Sequence, residues 1–347
     1  MKALVLKDYN VLSYEEVPEP EAGPDEVLVG VKACGICGSD VHGMDGSTGR
    51  RIPPVIMGHE AAGVIAEVGA DVTDFAPGDR VTFDSTIWCG DCRYCGRGVV
   101  NLCDARRVLG VSCSDYRQDG AFAEYIAVPR RILYRLPEGI SFEQAALVEP
   151  LSVALHAVRQ IPPSPNDTAV VVGAGIIGTL VVQSLKVAGC GRIIAVELDQ
   201  ARLELACRLG ADEGLNPETA DVPARVRQGT HGAGADLAFE AVGVTRALRT
   251  AVDCLKKGGS LIQIGNVSPT VELPLQAMVT RELSLFGSCA SAGEYPACLE
   301  MIGRGEVNVD ALISTVAPLA DGAAWFKRLH QGERALMKVV LVPCGLD

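Results

Sequence analysis

No run of apolar residues in this chain approaches the roughly 18 that a membrane-spanning helix requires, so helical membrane classes are excluded. Positive charge is also scarce. Against 43 Asp and Glu stand 31 Lys and Arg, a net charge of −12, so nucleic acid and anionic membranes are poor partners. The opening residues MKALVLKDYN hold no signal-peptide core, because Lys7, Asp8 and Asn10 interrupt the apolar positions. The expectation is a cytoplasmic protein. No internal repeat or low-complexity tract is present. The cysteines number 13, an odd count, and without a signal peptide they argue for metal ligands and buried thiols over a disulfide framework. Histidine is limited to five positions, so each is a candidate worth weighing.

The 347 residues suffice for two domains, each with its own core. The first half is rich in glycine, proline and short strand-like runs: EVLVGVKA at 26–33, AAGVIAEVG at 61–69 and GAFAEYIAV at 120–128. From about residue 152 strands and helices alternate. TAVVVGAG reads as a strand, IIGTLVVQSLKVAG as a helix, RIIAVEL as a strand, and DQARLELACRLGA as a helix. ADLAFEAVG, a further helical stretch and GGSLIQIG continue the series. That spacing predicts a doubly wound parallel sheet. Beyond about 290 the pattern is helical, with a final strand at MKVVLVP. The expected fold is therefore α/β: a β-rich domain from residues 1–151 and 290–347, and a parallel-sheet domain over 152–289.

Within VVVGAGIIG, Gly173, Gly175 and Gly178 follow a strand and open a helix. In that context Gly173 permits a tight turn, Gly175 the approach of a pyrophosphate, and Gly178 close helix–strand packing. Ile176 and Ile177, between the last two glycines, belong to the same cofactor-binding turn. Phosphates are favoured at the helix N-terminus by free N–H groups and the helix dipole. Glu197 closes the next strand, placed to accept hydrogen bonds from ribose hydroxyls and to repel a 2′-phosphate. The expected cofactor is NAD. Asp199 is a rival for the ribose role but suits the N-cap of the next helix. Arg202 could shield an adenine or face solvent.

CGDCRYCGRGVVNLC spaces Cys89, Cys92, Cys95 and Cys103 as four thiolates that can close a tetrahedral zinc site. With no open position, such a site is structural. A second metal set is suggested by CGICGSDVH (34–42) and MGHEAAG (57–63). Cys37 and His59 supply one thiolate and one imidazole. A catalytic zinc needs about three protein ligands and an exchangeable water. The remaining oxygen ligand could be Glu60 or Glu149. The latter is an acid in the otherwise apolar EPLSVALHA, where unpaired burial would be costly.

Together GHE, the four-cysteine lobe, PGDRV (77–81), EPLSVALHA and the glycine turn resemble the zinc-dependent medium-chain dehydrogenases over essentially the whole chain. CGICGSDVH and Glu149 are similar to the polyol (sorbitol/iditol) dehydrogenase branch. The resemblance implies a GroES-like β-rich catalytic domain beside a Rossmann NAD-binding domain, with two zinc ions per chain. It makes Cys37 and His59 catalytic zinc ligands and Glu60 a direct ligand, with Glu149 near the zinc or its water. Ser39 becomes the hydroxyl that receives the alcohol's proton, His42 the outer relay histidine, and Asp40 an orienting residue. Cys34 is no ligand in that pattern; it reads as a small buried hydrophobe.

The substrate implied is a small polyol or sugar alcohol, oxidised at a secondary alcohol to the ketone, in a homo-oligomer (dimer or tetramer). Two features complicate it. Ala290 and Ser291 stand where sorbitol dehydrogenases carry an Arg-Tyr pair that contacts the polyol. Arg50 and Arg51 could recognise an anionic substrate, as in a galactitol-1-phosphate-like enzyme. Threonine, butanediol and a redox-inactive nucleotide-binding role are further alternatives. The complete set of Cys37, His59, Glu60, Glu149 and Ser39 argues against the last.

Overall fold

The computed structural model describes residues 1–334 and 336–343, so position 335 and residues 344–347 of the C-terminal segment lie outside the described residues. The chain divides into two compact units. The first joins Met1–Glu149, Ala292–Gly305 and the chain from Val309 onward; the second joins Pro150–Ser291 and Glu306–Asn308.

The first unit is built on a seven-stranded sheet. Its central strand, Glu26–Gly35, pairs antiparallel with Glu60–Val68, with the C-terminal strand Lys338–Val342, and with Tyr125–Pro129. Strand Glu26–Gly35 is buried along almost its whole length, which explains its near-continuous apolar sequence. Phe122 and Phe326 meet edge to face in the core, with ring centroids 5.6 Å apart. Register fixes the site. Gly35 lies opposite Glu60 on one side and Val340 on the other. The chain leaves Gly35 for Cys37 and the short helix Gly38–Gly43, while His59 immediately precedes the neighbouring strand. Residues far apart in sequence thus converge at one end of three adjacent strands.

The second unit holds a six-stranded, wholly parallel sheet. Spatially the order runs Glu213–Leu215, Arg192–Val196, Thr168–Val172, Ala235–Glu240, Leu255–Gln263 and Ser284–Gly287. Numbered along the chain this is 3-2-1-4-5-6, the doubly wound Rossmann order expected from the strand–helix alternation. Helix Ile176–Val187 follows the first strand with Gly175 as its N-cap. Strand Ile313–Pro318, in the first unit, has no counterpart in the sequence reading. Its burial alternates weakly and only Ala317 is buried, so its sequence carries little strand signal. Among the described residues no helix is long and apolar enough to cross a membrane.

Candidate metal and cofactor sites

Cys37 Sγ, a ring nitrogen of His59 and a carboxylate oxygen of Glu60 all lie within 4.8 Å of one another. His59 and Glu60 are buried and Cys37 is half-buried. Burial opposes charge on His59, but Asp40 and Cys37 outweigh it, so the imidazole pKa rises well above its ordinary value. A place that draws a proton onto a buried imidazole attracts a cation. Thiolate, imidazole and carboxylate are a donor set that zinc accepts. His59 Nδ1 faces Asp40 Oδ2 at 3.5 Å, leaving Nε2 for a metal.

Asp40 is wholly buried, and its neighbours explain how it stays ionised. Burial pushes its pKa up, yet His59 and Arg51 overcome that and hold it well below the usual carboxylate range. Arg51 approaches Asp40 Oδ1 through Nη2 at 2.7 Å and Nε at 3.0 Å. This corrects the sequence reading of Arg51 as an anion-recognising loop cation: it is buried and paired, while Arg50 is exposed. Ser39 Oγ donates to Cys37 Sγ at 3.3 Å and accepts from Arg51 Nη2 at the same distance. His42 lies three residues further along the same short helix, exposed, with its carbonyl accepting from Ser47. Among the described residues no hydrogen bond joins Ser39 to His42.

Glu60 has a second partner that the sequence reading missed. Lys338, from the C-terminal strand, places its Nζ 2.8 Å and 2.5 Å from the two Glu60 oxygens and 2.9 Å from the Ile36 carbonyl. Both side chains are buried. Burial opposes the Lys338 charge, but Glu60 more than compensates and its pKa is raised. The pair needs Gly35, since a Cβ there would stand 2.3 Å from a Glu60 oxygen. Glu149 is buried nearby and accepts from Ser85 Oγ at 3.0 Å, but it does not join the close donor set. Its pKa is pushed up to about 7, first by burial and then by Glu60, against the pull of His59.

The four-cysteine lobe brings Cys89, Cys92, Cys95 and Cys103 together, with neighbouring sulfurs 3.4–3.9 Å apart. Zinc–sulfur bonds of about 2.3 Å in a tetrahedron put sulfurs about 3.8 Å apart, so the spacing fits zinc. The Cys92 thiol is lowered to about 6, chiefly by the backbone N–H groups of Cys95 and Asp104. Cys34 is buried against the sheet.

In the second unit Gly173 adopts φ 93°, a left-handed conformation suited to glycine. A Cβ on Gly178 would stand 1.7 Å from the Gly173 carbonyl, so helix and turn touch there. A Cβ on Gly175 would meet nothing within 4 Å. Ile176 and Ile177 are half-buried at the helix start. Glu197, also half-buried, accepts from Ala174 N at 2.9 Å, Leu198 N at 2.8 Å and Asp199 N at 3.2 Å. Asp199 caps the next helix by accepting from Arg202 N, and the Arg202 side chain is half-buried.

Residues 23–138 match the alcohol dehydrogenase GroES-like domain, and residues 177–304 match the zinc-binding dehydrogenase model. Sorbitol dehydrogenase of Bacillus subtilis is 34% identical over 99% of this chain and 97% of its own. D-xylulose reductase A of Aspergillus niger is 34% identical over 95% of this chain and 94% of its own. The chain belongs to the zinc-binding dehydrogenases. A solved zinc-binding dehydrogenase from Sinorhizobium meliloti 1021, bound to NADP, is 31% identical, with a TM-score of 0.89 and 99% of each chain covered. The family membership makes the chain a zinc-dependent alcohol dehydrogenase with a GroES-like and a Rossmann-type part. In this zinc-binding dehydrogenase, Lys338 beside Glu60 and Arg51 beside Asp40 are the contacts that sequence reasoning left out or misplaced. The only sequence signal for Lys338 is a lysine opening an otherwise apolar strand, KVVLV.

Proposed function

We propose that this chain oxidises a secondary alcohol of a polyol or sugar alcohol to the ketone, with NAD as hydride acceptor. The observation that carries the reading is the close set of Cys37, His59 and Glu60 with the Ser39 hydroxyl hydrogen-bonded to Cys37. Cys37, His59 and Glu60 hold the catalytic zinc, and Glu149 acts beside it through water. Cys89, Cys92, Cys95 and Cys103 hold the structural zinc. Zinc, when bound, polarises the alcohol oxygen and lowers its pKa. Ser39 accepts the alcohol's proton and passes its own outward, and exposed His42 delivers a proton to solvent.

Gly173, Gly175, Ile176, Ile177 and Gly178 form the turn that receives the pyrophosphate. Glu197 accepts from the adenosine ribose and repels a phosphate on it; each carboxylate oxygen keeps acceptor capacity beyond its backbone donors. Arg202 flanks the adenine. Because a relative binds NADP, the preference rests on Glu197 and not on family membership. The burial of Arg51 removes one of two cations that favoured a phosphorylated substrate. An uncharged polyol is therefore preferred over a polyol phosphate, with butanediol or threonine as narrower alternatives. Ala290 and Ser291 speak against sorbitol itself. A homo-oligomer, dimer or tetramer, belongs to the same reading.

A panel of polyols, a polyol phosphate, butanediol and threonine, assayed for reduction of NAD and of NADP, tests this. The expected result is NADH from an uncharged polyol, and loss of the preference over NADP in Glu197→Ser. Equal efficiency with both cofactors in the unaltered protein would remove the role of Glu197. No reduction with any alcohol would favour the redox-inactive reading.

A further inference from the structure

Arg51 is 3% exposed, a guanidinium enclosed by protein. Its donors are directed into the site. Nε and Nη2 both reach Asp40 Oδ1, at 3.0 Å and 2.7 Å, Nη2 also lies 3.3 Å from Ser39 Oγ, and Nη1 lies 3.1 Å from the Arg50 carbonyl. The fold makes room for it, since a Cβ on Gly43 would stand 2.6 Å from Arg51 Cγ. Asp40 then turns its other oxygen, Oδ2, to His59 Nδ1 at 3.5 Å.

We propose that Arg51 is a positioning residue that joins the metal-holding half of the centre to its proton-moving half. The proposal rests on the reading above, in which Cys37 and His59 hold zinc and Ser39 receives the alcohol's proton. On the metal side, Arg51 occupies Oδ1 and so fixes the Asp40 carboxylate with Oδ2 toward the imidazole. That sets the tautomer of His59 and the direction of Nε2. On the proton side, a serine hydroxyl has one proton and two acceptor lone pairs. Arg51 takes one lone pair, and the other is left to accept the alcohol's proton while Ser39 releases its own. The Ser39 proton, directed at Cys37 Sγ at 3.3 Å, leaves first to the solvent that reaches exposed Ser39; Oγ then carries a transient negative charge beside the guanidinium and takes up the alcohol's proton, so one proton leaves and one arrives. An ion pair serving packing alone would need only Asp40; the reach of Nη2 to Ser39 is the additional feature. Lysine cannot replace this fork, because its ammonium is a point charge on a single stem.

The test compares Arg51→Met and Arg51→Lys in the full-length, zinc-loaded protein, with Cys37→Ser and Ser39→Ala as references. Two quantities are read: zinc loss to a chelator with no alcohol or cofactor present, and kcat with the most active alcohol of the panel. In Arg51→Met, zinc loss from the catalytic site should accelerate by about 10–100-fold, the range for removing an outer partner of a ligand. Its kcat should fall further than its zinc content explains. Arg51→Lys keeps a cation against Asp40 but cannot fork to Ser39. It should lose zinc within about threefold of the unaltered rate, while kcat falls about tenfold and recovers partly in imidazole buffer. Should Arg51→Met fail to accumulate as folded protein, the lysine variant alone still gives this split. The proposal is overturned if Arg51→Met leaves both quantities near normal, or if Arg51→Lys restores both. Retention of labile zinc and activity in Cys37→Ser would instead overturn the underlying zinc reading, and this proposal with it.

Discussion

Ser39 is held between the Cys37 sulfur and a buried guanidinium, and it is on the exposed side of its short helix. A hydroxyl so placed can move a proton without being needed for metal binding. Ser39→Ala should lower the rate of alcohol oxidation by roughly two to four powers of ten, the range of general acid–base assistance. Zinc content, measured on the same sample, should be unchanged. His42→Ala should lose less, chiefly at low pH, because solvent reaches the exposed ring position and added imidazole can substitute. Full activity in Ser39→Ala with zinc intact would move the proton route to Glu149. That residue carries a second expectation. Its folded-state pKa stands at about 7, above the ordinary 4.5, so the folded chain binds this proton more tightly than the unfolded chain. The stabilising contribution is fully present below about 4.5 and is lost as pH rises through 7, a change of about 3 kcal/mol. Urea unfolding of protein stripped of its catalytic metal, at pH 5 and pH 8, should show that loss, and Glu149→Gln should flatten it. An unchanged slope in the glutamine variant would assign the pH dependence to other groups.

At the scale of elements, the turn between strand Thr168–Val172 and helix Ile176–Val187 offers two glycines with different duties. Gly178 is needed by the fold itself, because any Cβ would strike the Gly173 carbonyl. Gly175 has open space around it, so the fold alone does not require glycine there. Gly178→Ala should therefore lower stability by more than the about 1 kcal/mol that a change of glycine propensity alone involves. Gly175→Ala should fold with normal stability and lose NAD affinity, measured by cofactor fluorescence titration. Equal loss of stability in both variants would contradict the division. These glycines were legible in the sequence because their meaning is local: a strand, a turn and a helix lie within twenty residues. The four-cysteine lobe was legible for the same reason. Lys338 was not, since its meaning depends on a strand pairing that brings it 278 positions along the chain to Glu60. Arg51 reads from sequence as a cation available to an anionic substrate, because Asp40, the partner that engages it, lies in a separate motif. Strand Ile313–Pro318 was missed because a half-exposed strand with threonine, serine and proline has little apolar alternation to detect.

For the molecule as a whole, the decisive feature is that two candidate metal sets of different chemistry occur in one chain. Cys89, Cys92, Cys95 and Cys103 are four sulfurs at the spacing of a closed tetrahedron, with no position left for water. Cys37, His59 and Glu60 mix sulfur, nitrogen and oxygen, and Lys338 competes with any metal for both oxygens of Glu60. A ligand shared with an ammonium binds a metal less firmly than one that is free. The protein should accordingly bind two zinc ions per chain, and dialysis against a chelator should remove one quickly and the other slowly. Loss of the first should abolish turnover with little change in thermal unfolding, because the Lys338–Glu60 and Arg51–Asp40 pairs remain to satisfy the buried charges. Loss of the second should lower the unfolding temperature, since metal-binding free energy at a closed thiolate site is folding free energy. Cys37→Ser should reproduce the first outcome and Cys89→Ser the second. Metal analysis finding a single zinc in fully active chains would contradict this assignment. So would a Cys89→Ser variant with unaltered stability, because the lobe around residues 89–103 consists of short turns and 3-10 segments that lack strands of their own, and a bound metal would be their main cross-link.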